Sequence, residues 1–170
     1  MYLLNKDASK IVYIAEYNNQ NTYRTRNNAW PGNDRENGTI YSNHKNINTV
    51  RHSIYSFLNG DYEKSYSYWD ENAEVNDINL SEPITLSDAK KANEELMKNF
   101  TFDAADEVGY PDYLEYDLWE SKDVLSWWKF RMTRKSDGKK IVLPIHYIHG
   151  FDNEGKIINV TMYFNASLMQ

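Results

Sequence analysis

Tyr147 and His149 stand two residues apart within Lys140–Phe151, a run of β-branched, aromatic and aliphatic residues. On an extended strand, residues two apart share a face, so the phenol and the imidazole point the same way. A phenol there can donate a hydrogen bond to a ligand oxygen, and an imidazole can exchange a proton near neutral pH. Each has a plainer alternative. Tyr147 can be a core tyrosine whose hydroxyl reaches solvent or backbone, and His149 can be a structural histidine bonded to a main-chain carbonyl. His146 lies three residues from His149, so the two point to opposite faces and cannot chelate one metal ion. His44 and His52 are distant in sequence, so no metal site is expected. With no cysteine in the chain, disulfides, thiolate ligands and a thiol nucleophile are excluded. There is no Gly-rich phosphate loop and no Gly-x-Ser-x-Gly elbow. Arg131, Arg134, Lys135, Lys139 and Lys140 are most simply a solvated turn.

A wall of apolar side chains accompanies this pair. Trp128, Phe130 and Met132 share one face of the segment before it, and Val160, Met162 and Phe164 share one face of the segment after it. Such a wall can hold a flat apolar ligand or can be ordinary core packing, and only cavity volume decides between them. The opposite face carries Trp127, Val142, Pro144 and Ile148, which are too apolar for open water. A second subunit or the N-terminal segment is expected to cover it.

These residues are positioned by three long antiparallel strands between Val124 and Asn165. Asp137-Gly138 and Asp152-Asn153-Glu154-Gly155 make the two hairpins, because such turns need positive φ. Upstream, Asn48 is a candidate cap for a helix over Thr49–Asn59, with Val50, Ile54, Phe57 and Leu58 on its inner face. Asp61 can cap a second helix to about Asp70, and Ala73–Asp77 reads as a short strand. Thr85, with Asp88 three residues on, signals a third helix to about Phe100. Gly109-Tyr110-Pro111 is a turn, and Tyr113–Leu118 is the first strand of the main sheet.

A chain of 170 residues accommodates one domain of ordinary size. Its formal net charge of −6 and the absence of a clustered basic face argue against nucleic acid as a partner. No apolar run approaches the ~20 residues that span a bilayer. The sequence therefore reads as soluble, with the compartment, cytoplasmic or exported after loss of a leader, left open. Residues 1–45 are expected to form an N-terminal segment and residues 46–170 the domain. Ser9–Asn19 aligns without a gap on Gly155–Asn165, matching Lys10, Ile11, Tyr17 and Asn19 to Lys156, Ile157, Tyr163 and Asn165. The match marks a preceding similar domain's last strand, an added edge strand, or chance resemblance of two amphipathic strands. Residues 20–45 look like a linker pinned by Tyr23, Trp30 and Tyr41. Arg24, Arg26 and Arg35 within it are either an anion site or a solvated loop.

Phe57-Leu58-Asn59-Gly60-Asp61 at a helix end is followed by Tyr68-Trp69-Asp70-Glu71-Asn72-Ala73-Glu74-Val75. Phe151-Asp152-Asn153-Glu154-Gly155-Lys156-Ile157 then leads into Tyr163-Phe164-Asn165. In that order these segments resemble the nuclear transport factor 2-like superfamily, within it the SnoaL-like and ketosteroid isomerase-like proteins, over about residues 47–167. The resemblance implies an α+β cone, also called cystatin-like, in which a curved antiparallel sheet wraps about three helices around a closed-ended pocket. It also implies a homodimer through the outer face of the sheet. The family's isomerases use a pocket Asp as base with a Tyr and a protonated Asp as oxyanion donors. The base position falls on Asp77, the acid position on Tyr147, and the Tyr position on Ile54 or Ser53, with Tyr55 pointing elsewhere. Asp77 is then a general base if an apolar wall lifts its pKa, or else a strand-end Asp satisfying backbone amides. With His149 it would form an acid–base pair. The expected function is binding of a small apolar or aromatic molecule, without a cofactor, with isomerase, cyclase or hydrolase-type chemistry at Asp77, Tyr147 and His149. The alternative is a non-catalytic accessory domain whose pocket is filled by its own side chains.

Overall fold

Both predicted hairpins form at their Asp–Gly signals in the computed structural model, which describes residues 2–4, 11–14, 38–116 and 120–170. Gly138 and Gly155 adopt φ of 74° and 87°, a region where a Cβ is strained. Asp137 Oδ1 accepts from the Lys139 amide at 3.0 Å, and Asp152 Oδ1 accepts from the amides of Glu154 and Lys156 at 2.9 and 2.8 Å. Side chain and backbone thus close each turn together.

The strands are β1 (Tyr2–Leu4), β2 (Ile11–Ile14), β3 (Gly38–Tyr41), β4 (Trp69–Asp77), β5 (Ile84–Thr85), β6 (Phe100–Glu107), β7 (Asp112–Tyr116), β8 (Ser121–Arg134), β9 (Lys140–Phe151) and β10 (Ile157–Phe164). Helices α1 (Lys45–Leu58), α2 (Tyr62–Ser67) and α3 (Leu86–Asn99) precede the long strands, and a 3-10 turn, Ala166–Met169, follows them. The main sheet runs β3-β7-β8-β9-β10-β4-β5. The long β8 also pairs β6, because its first part lies against β7 and its second part against β6. Every pairing is antiparallel except β10 with β4. This is the α+β cone expected from the sequence, an open and mostly antiparallel sheet with three helices.

Burial along β8 alternates from Val124 through Ser126, Trp128, Phe130 and Met132, the face predicted to be apolar. Two clusters divide that face. Phe100, Trp128, Phe130, Met132, Ile141, Leu143 and Ile145 pack in one, while Ile47, Val50, Tyr113, Val124, Phe151 and Ile157 pack under α1 in the other. On β10 a bulge between Ile157 and Asn159 shifts the parity, so Ile157 and Val160 both face inward.

Several elements differ from expectation. Helix α1 starts four residues early, capped by His44 rather than Asn48. The His44 ring accepts from the Asn46 amide at 3.2 Å and stacks on Tyr113 at 3.7 Å, a tertiary contact that local capping preference does not contain. Trp69 begins β4 instead of ending α2, because the Ile157 amide donates to the Tyr68 carbonyl at 3.0 Å and draws the chain into the sheet. Strand β6 has no counterpart in the expected elements, since Thr101, Asp103 and Asp106 break its apolar texture. Strand β3 lies in the expected linker and pairs β7 from Gly38↔Tyr116 to Tyr41↔Tyr113. Strand β2 covers the start of the internal match and pairs β1 in a separate two-stranded sheet. The rest of that match, the linker residues Tyr23 and Trp30, the three arginines of the same stretch, and Leu118 lie outside the described residues. Among the described residues, no helix is long and apolar enough to cross a membrane.

Thr85 caps α3 as its spacing to Asp88 predicts. Its Oγ1 accepts from the Asp88 amide at 3.1 Å and donates to the Asp88 carboxylate at 2.9 Å. Thr85→Ala is expected to lower stability by about 1 kcal/mol, seen as a lower urea midpoint with an unchanged denaturant slope.

Candidate functional site

Cross-strand pairing assembles the site. Asp77, Met162, Tyr147 and Ser126 form one rung across β4, β10, β9 and β8, and Val75, Val160, His149 and Val124 form the next. Paired residues share a face, and so do residues two apart. Asp77, Tyr147 and His149 therefore all reach the concave side. They border a cavity of about 380 Å³ between the sheet, α1, α2 and α3. Phe130, Met132, Val160, Met162 and Phe164 line it as predicted.

Trp128 does not line it. It sits on the same face but toward β7, where α1 covers the sheet. Its ring is buried edge-on against Tyr55 at 5.7 Å, and its Nε1 donates to Ser126 Oγ at 3.0 Å. Ser53 and Ile54 border the cavity while Tyr55 points out of it, as expected. The lining that sequence reasoning missed comes from Ala92 and Asn93 on α3, Phe102 on β6 and Met169 in the final turn. The helical spacing Ala89, Ala92, Asn93, Leu96 was a usable signal. Phe102 was hidden because β6 itself was not recognised.

Most polar groups in the wall are satisfied within the protein. Trp69 Nε1 donates to Ser53 Oγ at 3.0 Å, Ser65 Oγ donates to the Ser53 carbonyl at 2.8 Å, and Asn93 Nδ2 donates to the Tyr66 hydroxyl at 3.0 Å. Asp77 Oδ1 accepts from Asn79 twice, from the backbone amide and from Nδ2, each at 2.8 Å. This much agrees with a strand-end Asp that satisfies backbone. Among the described residues no hydrogen bond engages the Tyr147 hydroxyl, and the Nδ1 atom of His149 is buried without a partner. A buried polar atom left unpaired is destabilising, which makes the His149 Nδ1 unusual.

Burial, helped by the negative charge of Asp77, raises the Tyr147 pKa, so the phenol stays protonated and can only donate or accept hydrogen bonds. Burial pushes His149 down to about 3, with the neighbouring His146 adding to the effect. The imidazole is therefore not charged near neutral pH. Nor does its Nδ1 bond a main-chain carbonyl, as the plainer alternative had it. The site presents the Asp77 carboxylate, the Tyr147 phenol and the neutral His149 imidazole in an apolar hollow. Among the described residues no group of three or more His, Asp or Glu side chains is arranged to hold a metal ion.

Comparison of the whole fold gives close structural counterparts. A protein from Bacillus subtilis, provisionally named an isomerase, superposes with a TM-score of 0.60 at 15% identity, over 73% of this chain and 89% of its own. An NTF2-like protein of unknown function from Burkholderia pseudomallei gives 0.56 at 16%, over 75% and 95%. The fold is nuclear transport factor 2-like. A protein from Xanthomonas campestris, provisionally named a polyketide cyclase, matches this nuclear transport factor 2-like cone with a TM-score of 0.56 at 14% identity, over 75% and 95%. No family model matches the sequence, and no curated protein does.

The depressed pKa of His149 links stability to pH. Unfolded, the imidazole takes a proton as pH falls through about 6.5; folded, it does so only near 3. Its contribution is therefore complete above about pH 6.5 and is lost as pH falls toward 3. His149→Leu is expected to flatten the dependence of stability on pH between 6 and 4, by up to about 1.4 kcal/mol per pH unit. Urea titrations of both proteins at several pH values check this.

Proposed function

We propose that this chain binds a small, mostly apolar molecule in the cone and carries out proton-transfer chemistry on it. Asp77 takes the proton and Tyr147 donates a hydrogen bond to a ligand oxygen. The observation that supports this most is the pairing of a cavity of about 380 Å³ with a phenol and an imidazole that no protein group satisfies. That volume falls within the range of small-molecule sites. Ligand atoms facing Tyr147 and His149 would supply the missing partners. Asp77 Oδ1 is held by Asn79, which orients the carboxylate and leaves its second oxygen for a proton. A protonated phenol near a carboxylate suits removal of a proton beside a carbonyl, since the donor meets the oxygen where charge develops. The provisional names of two structural counterparts, isomerase and polyketide cyclase, are compatible with such chemistry.

Native mass spectrometry with a mixture of small metabolites is the direct test. A bound mass is expected for the wild-type protein. It should be lost in Ala92→Trp, which places a large ring at a solvent-exposed lining position without overpacking the core. At saturating concentrations of the captured molecule, Asp77→Asn should slow its turnover by about 10²–10⁴-fold. Absence of any bound mass would overturn the reading. Retained turnover in Asp77→Asn would leave binding without the assigned base.

The outer face supports a homodimer as part of the same proposal. Trp127, His146 and Tyr163 stack in a row across three strands, at 4.8 and 5.7 Å, and Val142, four residues before His146 on the same face, is 52% exposed. Sedimentation equilibrium is expected to report a dimer, and Val142→Glu a weaker one.

A further inference from the structure

Resting on the reading of this cavity as a ligand site, we infer that its ligand carries a cationic nitrogen, an ammonium or iminium on a compact ring-bearing body, held against the Asp77 carboxylate. Among the described residues that line the cavity, Asp77 is the one carboxylate and there is no lysine or arginine. Asp77 forms no ion pair with any described residue. Its hydrogen bonds come from Asn79, a neutral donor. Lys90, whose Nζ lies 4.7 Å from the Tyr66 ring centroid, is not a lining residue. A bound molecule therefore meets a field of one sign, set by one partly exposed carboxylate.

The rest of the wall favours the same class. Phe57, Phe102, Phe130 and Tyr147 form a chain of edge-to-face rings, with centroids 5.6, 5.9 and 6.4 Å apart and planes inclined by 84°, 82° and 84°. The rings line the cavity, and aromatic rings attract cations. His149 is 3% exposed and its Nδ1 has no partner. A neutral imidazole can accept an N–H and imposes no repulsion on a cation, whereas a protonated one would. A carboxylate, phosphate or sulfate on the ligand finds no cation here and faces Asp77.

Three probes of matched shape test this: 1-naphthylmethylamine, 1-naphthylmethanol and 1-naphthoate, titrated at pH 7 by calorimetry or ligand-observed NMR. The amine is expected to bind about tenfold tighter than the alcohol or better, and the carboxylate more weakly than both. In Asp77→Asn the preference for the amine over the alcohol should disappear. Equal or tighter binding of the alcohol by the wild-type protein overturns the inference while leaving the cavity reading intact, as does an amine preference that survives in Asp77→Asn. If none of the three binds, both readings fail together. Should Asp77→Asn not fold, the order of the three probes on the wild-type protein decides alone.

Discussion

The register of β8, β9 and β10 is the constraint from which the rest follows. A strand has a side-chain period of two, so a slip of one residue would exchange the inner and outer sets. Trp127, His146 and Tyr163 would then turn inward, and Phe130, Tyr147 and Met162 would face water. Two turns closed by Asp137 and Asp152, each with a glycine at positive φ, prevent the slip. Core packing on one face reinforces them, because only one register buries Val124, Phe130, Leu143 and Val160 together. The parallel pairing of β4 with β10 then carries the same parity to Asp77. A carboxylate far away in sequence joins the phenol and imidazole through hydrogen bonds that involve none of the three side chains.

Around that sheet the helices divide the concave face unequally. Helix α1 presses on the β7–β8 side, filling it with Ile47, Val50 and Tyr113 and enclosing Trp128. Helix α3 faces β4 with small residues, and Ala89 and Ala92 leave room where a leucine would not. The cavity's polar groups sort in the same way. The serines, Trp69 and Asn93 bond one another and hold the wall together, while Tyr147 and His149 are left without partners. An unpaired buried Nδ1 weakens a fold, and its position beside a hollow is where function and stability pull apart.

Much of this was legible in the chain. The Asp-Gly turns, the alternation from Val124 to Phe164 and the Thr85–Asp88 cap are local patterns, and local geometry alone decides them. Together with the helix-end and hairpin segments they were enough for the cone, and enough to place Tyr147 and His149 on one face. Strand β6 was not legible, because its polar positions leave only a weak alternation and its strand character comes from pairing with β8. The start of α1 was not legible either, since a histidine caps it by stacking on a tyrosine from another strand.

The charge state of the site was decided by tertiary structure alone. Sequence alternation puts His149 indoors, but its neutrality at physiological pH depends on how completely the sheet and helices bury it, and that is a sum over distant neighbours. Whether an inward ring borders a cavity or is sealed by a helix likewise cannot be read from its own strand, as Phe130 and Trp128 demonstrate from positions two residues apart. Along a strand, covalent geometry sets direction, so direction is written in the sequence. Enclosed volume and dielectric arise only where elements meet, and they belong to the fold.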